Sequence, residues 1–117
     1  MAESTIKLGV STNQLTGLGL TLNGTALGSS FWKLDRIRIL IIAGIGNPTA
    51  NTVYTIGTVP AGNRPVLNSC ATFTSVVSGS TKGYGRISVA ESGAVSLVSS
   101  FSGNQEIMTC LVWIAAK

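Results

Sequence analysis

The chain contains no histidine, so the commonest general base, the commonest metal ligand and the usual partner of a catalytic serine are missing together. Its four acids are Glu3, Asp35, Glu91 and Glu106. A glycoside hydrolase needs two carboxylates facing each other across a sugar. These four are spread along the chain, and nothing local pairs them. Glu3, Glu91 and Glu106 read as solvated surface. Asp35 is flanked by Lys33 and Arg36, and period-two geometry puts Lys33 on its face, which points to a structural ion pair. Cys70 and Cys110 match neither a redox pair nor zinc spacing, and each lies in a strand-like run, so both read as buried free thiols, with a bridge between them left open should their strands be adjacent. Gly17-x-Gly19, Gly44-x-Gly46 and Gly83-x-Gly85 open no helix and precede no Lys-Ser or Lys-Thr, so they are turn and bulge glycines and no phosphate loop. The expectation is a protein that is not an enzyme, with no metal and no cofactor. What remains for chemistry is contact. Trp113 sits in an apolar run and reads as core. Trp32 and Tyr84 stand beside loops and polar neighbours, where a ring could stack on a sugar face, and Asp35 completes the candidate contact set.

Composition narrows the setting. Only 10% of residues are charged while 44% are apolar, against roughly 25% charged in ordinary soluble proteins. Such a surface must be clothed in Ser, Thr, Asn and Gly, buried against copies of the same chain, or both. The net charge of +4 comes from singly scattered Lys and Arg, with no basic run and no interleaved aromatics, which argues against nucleic-acid binding. The opening Met1-Ala2-Glu3-Ser4 shows no basic segment leading into an apolar one, so no secretory signal is read there. Ile37 to Ile45 is apolar but too short to span a bilayer, so no membrane insertion is expected.

The elements that would position these residues are strands. No stretch keeps a helical period, and glycine recurs throughout. Ile6, Leu8 and Val10 alternate within Thr5 to Val10, and Leu18, Leu20 and Leu22 alternate up to the tight-turn pair Asn23-Gly24. Phe31 to Ile45 reads as one long strand, with Ile37, Ile39 and Ile41 on one face. On the other, Arg36 and Arg38 give way to Leu40 and Ile42, as though the strand ran from an exposed end to a covered one. Gly46-Asn47-Pro48 ends it, Thr52 to Gly57 forms a short strand, and Val59 to Pro65 is a stiff proline-bounded loop. Val66 to Val77 is a strand and Ser78 to Gly83 a loop. Tyr84 to Ala90 and Ala94 to Ser99 form a hairpin across Glu91-Ser92-Gly93. The last strand, Ile107 to Ala115, is apolar on both faces, which requires cover on both, one from the domain and one from another subunit. One domain is expected, all-β, an antiparallel β-sandwich or jelly-roll-like knob over residues 31–117, with residues 1–30 as N-terminal strands or a stalk remnant.

Three segments in this order, TVYTIGTVPAGNRPVLNSCATF, GRISVAESGAVSLVSS and MTCLVWIAAK, with FWKLDRIRILIIAGI upstream, resemble the C-terminal head domains of phage tail fibres and baseplate receptor-binding proteins. The likeness runs over about three quarters of the chain, residues 31 to 117. Its marks are the Val59 to Pro65 segment, the Gly85 to Leu97 hairpin and the closing aromatic strand from Ile107 to Ala116. The family commonly carries Tyr or Phe where Asn63 stands. The resemblance implies a homotrimeric knob at the tip of a phage tail, assembled in the bacterial cytoplasm and carried in the virion. Its partners would be other tail or baseplate proteins and a bacterial surface glycan or other envelope receptor. Arg64 matches the motif and is expected to bond loop carbonyls with its planar fork. The competing reading is a structural particle protein, a decoration or tail-assembly subunit with the same strands and no ligand.

Overall fold

The computed structural model describes residues 12–116, and among them every regular element is a strand. In chain order they are β1 (Thr12–Leu15), β2 (Thr21–Leu22), β3 (Thr25–Ala26), β4 (Ser29–Leu34), β5 (Ile37–Gly46), β6 (Tyr54–Thr58), β7 (Ser69–Val77), β8 (Ser80–Val89), β9 (Ala94–Ser99) and β10 (Gln105–Ile114). Eight of them form one antiparallel sheet in the order β1-β4-β5-β10-β7-β8-β9-β6, and β2 and β3 form a separate small hairpin. The strand expected over Thr5 to Val10 lies outside the described residues.

Turn chemistry explains where the strands break. Asn23 and Gly24 both take positive φ, at 51° and 78°, as the two-residue turn between β2 and β3 requires. Ser78 and Gly79 do the same at 49° and 79°. The expected loop from Ser78 to Gly83 is therefore only a two-residue turn, and β8 begins at Ser80. The largest correction is at Asp35. Phe31 to Ile45 is not one strand but the hairpin β4–β5, closed by Asp35-Arg36 with Leu34 opposite Ile37. Asp35 takes φ 54°, a conformation that a short polar side chain tolerates better than most. This removes the expected ion pair on a shared strand face. Asp35 instead offers its backbone carbonyl to Arg38 Nη1, at 2.7 Å.

Arg38 is accordingly not at an exposed strand end; it is 5% exposed. Its Nε donates to Asn63 Oδ1 at 2.7 Å, and the Asn63 carbonyl accepts from Trp113 Nε1 at 2.7 Å. Arg64 Nε donates to the Val59 carbonyl at 2.9 Å, the carbonyl-bonding role expected of it. The Val59 to Pro65 loop is thus tied to β5 and to β10. Trp113 also stacks with Phe31, ring centroids 5.7 Å apart. Asn63 is thus a hydrogen-bonding hub between β5 and β10.

The sheet curls because β10 meets its two neighbours unequally. It pairs with β5 along its whole length, from Gln105 opposite Gly46 to Ile114 opposite Ile37. With β7 only Glu106 opposite Val76 is paired. The inward side chains of both halves then enter one core: Leu40, Ile42, Ile107 and Leu111 from one half, Ile87, Val89, Val95 and Leu97 from the other. Leu20, Leu22 and Leu27 join the same core. Room for them comes from Gly44 and Gly46, where an added Cβ would run into Leu27 and Leu22. Gly44, Gly46 and Gly85 are therefore in-register strand residues and not turn or bulge residues, whereas Gly83 borders the register shift opposite Ser75 and Val76, as expected of a bulge glycine.

Gly85 lies directly opposite Phe73, and an added Cβ would overlap the Phe73 ring. Gly85→Ala is expected to cost about 1–3 kcal/mol by overpacking. In urea titrations, Phe73→Leu in the Gly85→Ala background should recover part of that loss. Simple additivity of the two changes would show that the ring is not what occupies the space. Arg38→Ala leaves the Asn63 Oδ1 without its donor and should cost about 2–3 kcal/mol, with Arg38→Lys failing to restore it because an ammonium cannot reproduce the fork.

Candidate functional site

The alternation that fills the core also decides what each strand shows to solvent. On the β7–β8 pair the outward residues are Cys70, Thr72 and Thr74, opposite Ser88, Arg86 and Tyr84 respectively. Across β8, Arg86 lies opposite Val98 of β9. Tyr84 is 69% exposed, yet its backbone is clamped. The Ser100 N–H donates to its carbonyl at 2.8 Å, and its own N–H donates to Ser100 Oγ at 2.9 Å. With the backbone already fixed, only the two side-chain torsions of the ring remain to be ordered by a contact.

Two shallow hollows flank this strand. One, of about 260 Å³, has Asn51, Tyr84, Arg86 and Val98 in its wall. The other, of about 290 Å³, has Asn68, Cys70, Arg86 and Ser88 in its wall. Arg86 belongs to both, and no carboxylate lines either. A ring for apolar stacking, a guanidinium fork and a row of hydroxyls and amides suit a hydroxyl-rich ligand that carries a negative group.

The three residues expected from the sequence do not converge. Trp32 is on β4, half-buried beside Ile39, with Nε1 donating to Ser30 Oγ at 3.2 Å. Asp35 is exposed at the tip of the β4–β5 turn. Tyr84 is on β8, with β5, β10 and β7 between it and β4, or about 19 Å measured along the sheet at the usual strand spacing. One small ligand cannot touch all three. Arg86, which no sequence motif singles out, shares the outer face with Tyr84: the Tyr84-Gly85-Arg86 alternation puts it on the ring's face, but only the pairing with β7 and β9 shows what surrounds it.

Both cysteines are free and exposed, contrary to the buried state expected from their apolar neighbours. Each falls on the outward parity of its strand. Among the described residues no group of three His, Cys, Asp or Glu is placed to hold a metal ion. The Tyr54 hydroxyl accepts the Thr49 N–H at 2.9 Å, and hydrogen bonding from Thr49 holds its pKa below the ordinary tyrosine value.

Beneath the Tyr84 end of β8 lies a buried polar cluster with no counterpart in the sequence reading. Ser75 Oγ and Ser99 Oγ both donate to Gln105 Oε1 at 2.7 Å. Gln105 Nε2 donates to the Phe101 and Gly103 carbonyls at 2.8 and 2.9 Å. The cluster fixes the segment that carries Ser100, and through it Tyr84. Compared with known families and curated proteins, the chain matches no family model and no curated sequence.

Gln105→Ala removes the shared acceptor from two buried hydroxyls and frees the 100–104 turn. The expected loss is about 2–3 kcal/mol, accompanied by faster hydrogen exchange at the Tyr84 and Ser100 amides. Unchanged exchange at those amides would mean that the cluster does not position the ring.

Proposed function

We propose that this chain is the receptor-binding head of a phage or prophage tail appendage, a homotrimeric β-sandwich knob that grips a bacterial surface glycan and does no covalent chemistry on it. The observation that carries the proposal is the β7–β8–β9 outer face, where Tyr84 and Arg86 project from paired strands between two open hollows. A rigid sheet holding a free aromatic ring and a guanidinium is suited to repeated, shallow contact with a polymer. Each contact can be weak. Three copies per knob and many knobs per particle multiply it, so single-site affinity near the millimolar range suffices for firm adsorption.

The order of segments that resembles tail-fibre heads supports the same reading, as does the tied Val59 to Pro65 loop with Arg64 in its carbonyl-bonding role. The curled sheet, with its halves closing on one core, is compatible with a two-layer sandwich. Within this reading Tyr84 and Arg86 form the principal contact, and Asp35 and Trp32 belong to a separate part of the surface.

Fluorescently labelled protein should bind the surface of its host cells or their isolated envelope glycans. Tyr84→Ala and Arg86→Ala should each weaken binding by about tenfold per site while leaving the thermal midpoint unchanged. Glycan chain length should be the same before and after incubation. Binding no stronger than that of an unrelated protein, across hosts and glycans, would instead make the chain a structural particle subunit.

A further inference from the structure

The outward face of β5 and β10 is apolar along almost its whole length. Cross-strand pairs put Ile37 beside Ile114, Ile39 beside Val112, Ile41 beside Cys110 and Ala43 beside Met108. The β4 residues Leu34 and Trp32 extend the strip, opposite Ile37 and Ile39. Glu106, opposite Ile45 at one end, is the single charge among these paired outward positions. The side chains are open in the single chain: Met108 is 66% exposed, Ile45 58%, Val112 57% and Ile114 52%.

An antiparallel sheet face that meets water is normally polar. This one is the reverse, and its size decides the matter. Together with Ile37 and Ile41, those four side chains leave roughly 500 Å² uncovered, near the upper limit for a patch on a monomer. The exposed Ala43 and Cys110 and the half-buried Trp32, Leu34 and Ile39 enlarge the strip further, toward the roughly 800 Å² that one partner buries in a standard stable complex. The low charge of the whole chain, 10%, leaves little to keep such a face apart from its like.

We infer that the β4–β5–β10 outer face is the surface through which copies of this chain meet, and that Cys110 is buried inside that contact while Cys70 stays outside it. The inference rests on the assembly half of the proposed function and not on the receptor half. The two exposed thiols make it measurable. Cys110 lies in the middle of the strip, paired with Ile41. Cys70 lies on the polar face of β7, paired with Ser88. Both are exposed in a lone chain, so only association should distinguish them.

The test combines sedimentation with iodoacetamide labelling of the native full-length protein, read by peptide mass spectrometry. The wild type should sediment at a multiple of 12.0 kDa, with Cys70 reacting at least about tenfold faster than Cys110 because reaction follows access to the thiolate. Val112→Glu should sediment as a single chain, with the Cys110 rate rising to that of Cys70. Thr55→Glu, a change at an exposed position on β6, should behave as wild type. A wild-type mass of one chain at micromolar concentration overturns the inference, even with Cys110 shielded, since the cover would then come from the chain itself. An assembly in which both thiols react alike also overturns it, because the copies then meet elsewhere. Host-cell binding is scored separately: its loss with assembly intact removes the receptor reading alone.

Discussion

Strand β10 is paired with β5 along its whole length and with β7 at one position, and that inequality shapes the molecule. A sheet that remained evenly paired would twist but leave one face of each strand without cover. Releasing most of the β10–β7 ladder lets the sheet curl, so that Leu111 and Trp113 meet the same core as Ile87, Val89 and Leu97. The released backbone finds partial replacement, for example where Thr109 Oγ1 donates to the Thr72 carbonyl at 3.0 Å. Curling also turns the outer faces of the two halves away from each other, and those faces differ in chemistry.

Polar groups hold the two ends of this curl. At one end Arg38, Asn63 and Trp113 bind the Val59 to Pro65 loop to β5 and β10. At the other, Ser75, Ser99 and Gln105 bind the 100–104 turn beneath Tyr84. No buried side-chain polar atom among the described residues lacks a partner. Satisfied buried networks contribute modestly to net stability but strongly to uniqueness, since any alternative register leaves several groups unpaired at once. Under the proposed function, the consequence is a ring whose backbone is fixed before a ligand arrives.

The two outer faces divide the work under the proposed reading. The β4–β5–β10 face lacks the charge to live comfortably in water and exposes an apolar strip at the upper limit for a lone chain. The β7–β8–β9 face is hydroxyl-rich, carries one guanidinium and one free ring, and has the shallow relief of a surface that samples a polymer. Self-association through the first would multiply the second, which is how weak single contacts become firm attachment. Neither face depends on the other for its chemistry, so assembly and recognition can be disturbed independently.

Alternation along each strand was readable from the residues: Ile107, Leu111 and Trp113 point inward and Met108, Cys110, Val112 and Ile114 outward, as period two requires. The Asn23-Gly24 turn and the β8–β9 hairpin were readable for the same reason, because glycine and asparagine take positive φ at little cost. The break at Asp35-Arg36 lacks the glycine or proline that marks the other turns, and its one sequence trace is a change of apolar parity, from Trp32 and Leu34 to Ile37 and Ile39. Burial of Arg38 followed from that turn. The cysteines were misjudged because an apolar neighbourhood in sequence does not say which face of a strand has a partner. By itself the sequence determined that the chain forms strands and which residues share a face. Only the tertiary structure decided which faces close on the core, which loops anchor Arg38, and that Arg86 and not Trp32 stands with Tyr84. Side-chain parity is a property of one strand, whereas neighbours across a sheet depend on strand order, which no local pattern encodes.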